Sequence, residues 1–162
     1  MPLIDHFRRM HAFESWASGL AQDSLATIPP ARRSDPRADR AARLLPHVQE
    51  ARRTWLDRVR GEAYDPPADW FPAWSDDATR RAMAAQDQAW ERLLSDLTET
   101  DLGREITYES SEGKSYASVL ADILTHVFNH STYHRGQVAR IVDELGGARA
   151  VTDFIAMGRR PR

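Results

Sequence analysis

The chain has 162 residues, of which 41% are hydrophobic, so it is long enough to form one domain, residues 1–162, with a substantial core. Its 22 basic and 24 acidic residues give a net charge of -2, which argues against binding to nucleic acid through a basic surface. No segment is apolar for long enough to span a membrane or to resemble a signal peptide, so we expect a cytoplasmic protein. Cysteine is absent, which excludes disulfides, thiolate ligands and a cysteine nucleophile.

The first half of the chain predicts two long helices. Hydrophobic residues at three- and four-residue steps indicate a helix from about Leu3 to Leu25. The run Ser34-Asp35-Pro36 is typical of a helix start, and we expect the second helix to continue to Gly61. Pro46 lies inside this helix, where it removes one backbone hydrogen bond and is expected to bend the helix just before His47.

The second half predicts a loop, two more helices and a hairpin. Residues 61–75 contain too many prolines for regular structure and too many aromatic residues for a solvated linker, so we expect a loop packed on the body of the protein. Ser75 or Asp76 is the expected cap of the third helix. Alternating residues in 104–116 indicate a short β-hairpin.

The fourth helix is expected to run from about Ser115 to Leu145, and the tail, residues 148–162, to dock on the bundle. The predicted fold class is therefore all-α, a four-helix bundle with a short β-hairpin before the last long helix.

Three histidines recur at four-residue steps in the fourth predicted helix, at His126, His130 and His134. On a helical wheel His134 lies about 20° from the centre of the apolar stripe, His130 about 60° and His126 about 100°. His130 and His134 therefore face the bundle interior. All three cannot bind one ion tetrahedrally, because the backbones of His126 and His134 are about 12 Å apart.

Neutral imidazole is a common metal ligand, and the inward pair needs a further ligand from another helix, since cysteine is absent. His47 is the best candidate, because it lies beside the expected bend on a helix that can pack against the fourth. Three histidines would leave one position open, as in catalytic zinc sites. The expected cofactor is a divalent metal ion, with zinc or nickel favoured and iron and manganese left open.

Other interpretations exist for these residues. A single interior histidine is more often a hydrogen-bonded core residue than a ligand. His126 is a candidate for a hydrogen bond to a ligand. His6 and His11 are interpreted as surface or packing residues, with the lining of a cleft as the less favoured alternative. For Arg135, an ion pair with an acidic side chain is favoured over contact with a substrate anion. No catalytic residue is assigned, and the Glu-x-x-His pairs of a di-iron bundle do not occur.

The run from Leu124 to Val138, Leu-Thr-His-Val-Phe-Asn-His-Ser-Thr-Tyr-His-Arg-Gly-Gln-Val, resembles the signature of the DinB and YfiT-like metalloprotein superfamily. Leu45-Pro46-His47, Trp16, the predicted hairpin and Asp153 are also similar to that family, so the resemblance covers almost the whole chain.

The resemblance implies a four-helix bundle, often dimeric, that holds a divalent ion through His47, His130 and His134. Members of known activity use a low-molecular-weight thiol, such as bacillithiol or mycothiol, in transfer or isomerisation reactions. Our hypothesis is a metal-dependent thiol S-transferase that acts as a homodimer on a small-molecule substrate, with neither nucleic acid nor membrane as a partner. A stress-associated binding or scaffold protein with a structural ion, and a metal-dependent hydrolase, are the alternatives.

Overall fold

The computed structural model of the protein describes residues 1–160, so residues 161 and 162, the end of the predicted domain and tail, lie outside the described residues. The long helices are Leu3–Leu25 (α1), Pro36–Arg60 (α2), Asp76–Asp96 (α3) and Leu120–Glu144 (α4). A two-stranded antiparallel sheet, Glu105–Glu109 (β1) and Ser115–Val119 (β2), precedes α4, and a short helix, Phe154–Gly158 (α5), follows it. The prediction of an all-α bundle with a hairpin before the last long helix is confirmed. Within residues 1–160, no helix combines the length and the apolarity that crossing a membrane requires.

The ends of α2 and α3 follow from local chemistry. The Asp35 side chain accepts a hydrogen bond from the backbone N–H of Arg37, and Gly61 ends α2 in the left-handed conformation, with φ 72°. The Ser75 hydroxyl accepts a hydrogen bond from the backbone N–H of Ala78 at the start of α3. These boundaries were predicted and are confirmed. Helix α2 also continues through its internal proline, whereas the expected bend stays a prediction.

The start of α4 differs from the prediction. Residues from Ser115 were expected to be helical, but Ser115–Val119 form β2 and the helix begins at Leu120. The reason is long-range pairing, because β2 bonds along its length to β1 and the Leu120 N–H donates to the Arg104 carbonyl at 2.9 Å. The prediction of a helical start at Ser115 was therefore wrong.

Two apolar clusters fill the ends of the bundle. One includes Phe7, Leu56 and Leu124, and the other includes Leu45 and Val138. Between them along α1, α2 and α4 lies a set of buried polar side chains, which we call the central polar layer. Its members are His11, Glu14, Ser18, His47, Gln49, Arg52, Ser131, His134 and Arg135.

An ion pair inside the central polar layer joins α1 to α4. Arg135 contacts the carboxylate of Glu14, and each side chain is only 1% exposed. The Glu14 carboxylate also accepts from the Ser18 hydroxyl at 2.8 Å, and Arg135 donates to the Thr132 hydroxyl at 3.0 Å. The guanidinium lies 5.2 Å from the ring centroid of Phe13. Buried charges with this many partners favour one relative position of the two helices.

The described part of the tail returns to the bundle. The Phe154 ring meets the Phe13 ring edge-on, with centroids 5.2 Å apart, and the Arg9 guanidinium lies 5.6 Å from the Phe154 centroid. Docking of the tail is therefore confirmed for the residues that the structure describes.

Replacing Glu14 by Gln should destabilise the protein strongly, because it leaves the buried guanidinium of Arg135 without a counter-charge. We expect the free energy of unfolding to fall by about 3 kcal/mol, measured by urea denaturation. The matched control is Asp77→Asn, which breaks the exposed pair with Arg81 and should cost less than about 1 kcal/mol. Equal, small losses in the two variants would contradict the importance of the buried pair.

Candidate metal centre

Three histidines from two helices converge at the side of the central polar layer. His47 comes from α2, and His130 and His134 come from successive turns of α4. One ligand nitrogen of each lies within 4.8 Å of the others, and the Nε2 atoms of His47 and His130 are 3.2 Å apart. The ring centroid of His134 lies 4.6 Å from that of His47 and 4.5 Å from that of His130. The structure brings together the three predicted residues.

The orientation of His47 is set by the loop between α2 and α3. Its Nδ1–H donates to the carbonyl oxygen of Trp70 at 2.8 Å, since a carbonyl can only accept. Its ring stacks on Phe71, with centroids 4.1 Å apart and planes 10° from parallel. With the hydrogen on Nδ1, the Nε2 lone pair of neutral His47 points toward the other two histidines, as metal-binding histidines require.

Burial keeps these imidazoles in the neutral form. It lowers the pKa of His130 to about 3, helped by the proximity of His134, His47 and His126. Burial, and to a smaller extent the proximity of the His47 ring, lowers the pKa of His134 to about 4. The pKa of His47 is also lowered by burial, against the opposing effect of its bond to Trp70. Neutral imidazole is the form that binds a metal ion.

The spacing of the His47 and His130 nitrogens fits a metal ion. Two nitrogens each about 2.0–2.1 Å from a tetrahedral zinc ion are about 3.3 Å apart, close to the 3.2 Å between the Nε2 atoms of His47 and His130. His134 has a buried Nδ1 without a hydrogen-bond partner within residues 1–160, and buried polar atoms normally have one. Among the described residues the group contains no carboxylate, so its donors are three nitrogens. The residues present therefore suit a divalent ion of borderline softness.

A solvent-facing cavity reaches the group at His134. It has a volume of about 480 Å³, and its walls include Phe71, Tyr133, Gln137 and Arg43. This volume is within the usual range of small-molecule sites. A ligand in the cavity can thus contact the histidine group directly.

The remaining histidines lie outside the group. His126 is exposed, and its ring packs on Trp55 at 5.3 Å and lies 5.7 Å from that of His130. Within residues 1–160 no hydrogen bond joins His126 to His130, so it does not have the hydrogen-bonding role considered for it. His6 packs beside Phe7, in agreement with its interpretation as a packing residue. His11 is buried between α1 and α3 and also lines a cleft there, so both the packing and the cleft interpretations apply to it.

Sequence reasoning missed the two loop residues that hold His47. Residues 61–75 were expected to pack on the body of the protein, and Trp70 was interpreted as an anchor of this loop or, less favoured, as the wall of a ligand pocket. Neither Trp70 nor Phe71 was connected to His47. The density of aromatic residues was the one available signal, and it does not indicate which carbonyl faces the histidine. For Arg135, the favoured ion pair is confirmed, with Glu14 as its partner.

Comparison with protein families supports the resemblance seen in the sequence. The family model described as the DinB family matches residues 5–160, nearly the whole chain. Comparisons with curated proteins and with solved structures gave no match. Since the match covers the helices, the hairpin and all three converging histidines, the chain belongs to the DinB family.

Proposed function

We propose that the protein is a metal-dependent enzyme that binds one divalent ion through His47, His130 and His134 and acts on a small-molecule thiol. The observation that carries the proposal is the group of three neutral imidazoles whose ligand atoms lie within 4.8 Å of one another. Within the described residues, no fourth histidine, aspartate or glutamate joins this group. Three protein ligands leave a position for an exogenous molecule, as in catalytic zinc sites.

The proposed reaction is transfer to a thiol, supported by the low-molecular-weight-thiol chemistry of the family. The chain has no cysteine, so the reacting sulfur has to arrive with a substrate. A divalent cation bound at this site would supply a Lewis acid that lowers the pKa of a thiol. In the transfer the thiol loses its proton to water, its sulfur forms a bond to an electrophilic carbon, and the bond from that carbon to the leaving group breaks, so that the leaving group departs with the bonding electron pair. Phe71 and Tyr133, in the wall of the cavity beside His134, would limit access of water and orient the substrate.

The identity of the ion and the partners belong to the same proposal. Three imidazole nitrogens favour zinc or nickel over manganese, which prefers oxygen ligands, and iron remains compatible with them. The single domain, the homodimer, the cytoplasmic location and the absence of nucleic acid or membrane partners stay predictions.

Metal content tests the ligand set. Purified protein should hold one divalent ion per chain, and His47→Ala, His130→Ala and His134→Ala should each weaken binding by more than about 100-fold, above the usual effect of outer-shell residues. Elemental analysis and competition with a chelator measure this. His126→Ala is the matched control, one turn away on the same helix, and should bind like the wild type. Wild-type binding by any of the three variants would remove that residue from the site.

Thiol binding tests the open position. By isothermal titration calorimetry, metal-loaded protein should bind 2-mercaptoethanol, whereas metal-free protein should not. Ethylene glycol, which replaces the sulfur by oxygen, should bind neither form. A metal-loaded protein that holds its ion but does not distinguish these two probes would favour the structural-ion alternative over the thiol enzyme.

The neutral histidines also predict how the stability of the metal-free protein depends on pH. Burial holds the pKa of His130 at about 3 and that of His134 at about 4, below the ordinary value of 6.5. At a pH below 6.5 but above the pKa of each folded histidine, the unfolded chain binds protons that the folded chain does not. The free energy of unfolding should therefore fall as the pH drops below about 6.5. The slope is at most about 1.4 kcal/mol per pH unit for each histidine.

Urea denaturation of metal-free protein between about pH 7 and about pH 5 measures this slope. Because Gln does not titrate, His130→Gln should show a smaller slope than the wild type. Identical slopes would mean that His130 is not held neutral in the folded protein.

A further inference from the structure

Arg58 is an arginine whose charge the described protein does not neutralise. Five arginines are buried or half-buried within residues 1–160, and they are Arg43, Arg52, Arg53, Arg58 and Arg135. The other four each pair with a carboxylate. Arg58 has no carboxylate within 4.0 Å among the described residues. Removing a charge from water without a counter-charge is unfavourable, so this position calls for an explanation.

Aromatic rings surround Arg58 and hold its guanidinium in place. The guanidinium carbon lies 4.7 Å from the Trp55 ring, 5.0 Å from Tyr64 and 4.8 Å from Tyr108. Its Nη2 donates to the Glu109 carbonyl at 2.6 Å, which ties α2 to β1. Cation–π contacts compensate part of the charge, but they leave N–H groups without acceptors. Nη1 has no hydrogen-bond partner within residues 1–160, and Nε is buried without one.

The guanidinium borders a cleft with aromatic walls. The cleft has a volume of about 290 Å³, and Trp55, Trp70, Tyr108 and Tyr116 contribute to its walls together with Arg58. This volume is at the lower end of the range for small-molecule sites. Flat aromatic walls favour a flat ligand, and one unneutralised cation favours an anionic group, which a guanidinium binds best as a planar carboxylate.

The cleft is separate from the three-histidine group but close to it. Trp70 contributes its ring to the cleft and its carbonyl to His47. On the other side, the Trp55 ring packs on His126 with centroids 5.3 Å apart, and His126 lies 5.7 Å from His130. One layer of side chains therefore divides the two sites.

We propose that this cleft binds a small aromatic carboxylate, with the carboxylate on Arg58 and the ring between Trp55, Trp70 and Tyr116. The site does not depend on a bound metal, so it stands or falls independently of the proposed function.

Benzoate is the probe for this site, followed by two-dimensional proton–nitrogen NMR at constant ionic strength. Benzoate should shift the indole N–H signals of Trp55 and Trp70 saturably, whereas that of Trp90, which is 1% exposed in the core, should not move. Benzamide, which has the same shape without the charge, should bind at least about tenfold more weakly. Absence of saturable shifts, or equal binding of the two probes, would overturn the proposal.

Variants separate binding from a purely structural role of Arg58. Arg58→Gln should lose at least about tenfold in benzoate affinity and should no longer distinguish benzoate from benzamide. Arg60→Gln is the matched control, an exposed arginine two residues further along α2, and should bind benzoate like the wild type. Unchanged benzoate affinity in Arg58→Gln would overturn the proposal.

A second variant covers the case in which Arg58→Gln does not fold, since Arg58 also ties α2 to β1. Tyr116 is 47% exposed and lines the cleft, so Tyr116→Ala should fold and should weaken benzoate binding. Wild-type affinity in this variant would rule out a ligand between the aromatic walls.

Discussion

A helical bundle that buries two arginines and a glutamate in its interior has to pair each of these charges with a partner on a neighbouring helix. The central polar layer does so with pairs that join different elements. Arg135 with Glu14 joins α4 to α1, and Arg52 with Asp87, at 2.9 Å, joins α2 to α3. The apolar clusters above and below it supply most of the favourable burial, but similar apolar contacts could form after a helix shifted by one turn. A buried charge left unpaired by such a shift would cost about 3–5 kcal/mol, so the polar layer specifies the register.

This register also aims the candidate metal ligands. Arg135 follows His134 directly, and neighbouring residues on a helix point about 100° apart. With Arg135 fixed on Glu14 of α1, the rotation of α4 is set, and His134 is turned toward α2, where its ring meets that of His47 at 4.6 Å. His130, one turn earlier on the same side, then faces His47 as well. The buried ion pair and the histidine group are two results of a single helix orientation.

The parts of this arrangement that could be predicted from sequence are those with local causes. Asp35 and Ser75 begin their helices and Gly61 ends one, through hydrogen bonds and backbone conformations within a few residues. The helical wheel placed His134 inward and His126 at the flank because helical geometry is regular. The prediction of where α4 begins failed because β2 is stabilised by pairing with β1, a strand that precedes it in the chain. The hydrogen bond from His47 to the Trp70 carbonyl joins two residues that are 23 positions apart in the sequence, and Trp70 lies in an irregular loop. No local sequence pattern encodes this contact.

The two sites beside α4 and α2 have different charges, and a cation in one of them would interact with the charge of the other. The histidine group is neutral until it receives a cation, whereas Arg58 is permanently positive. The guanidinium would repel a divalent ion in the histidine group, and this repulsion decreases as the distance between the two charges grows. The Trp55 ring packs on the guanidinium and on the His126 ring, which in turn lies beside His130. Partial burial of the His126 ring, and then the charge of Arg58, lowers its pKa and favours its neutral form. A carboxylate held on Arg58 would offset the charge of the guanidinium and weaken this repulsion, while the cleft itself needs no bound ion to take its ligand.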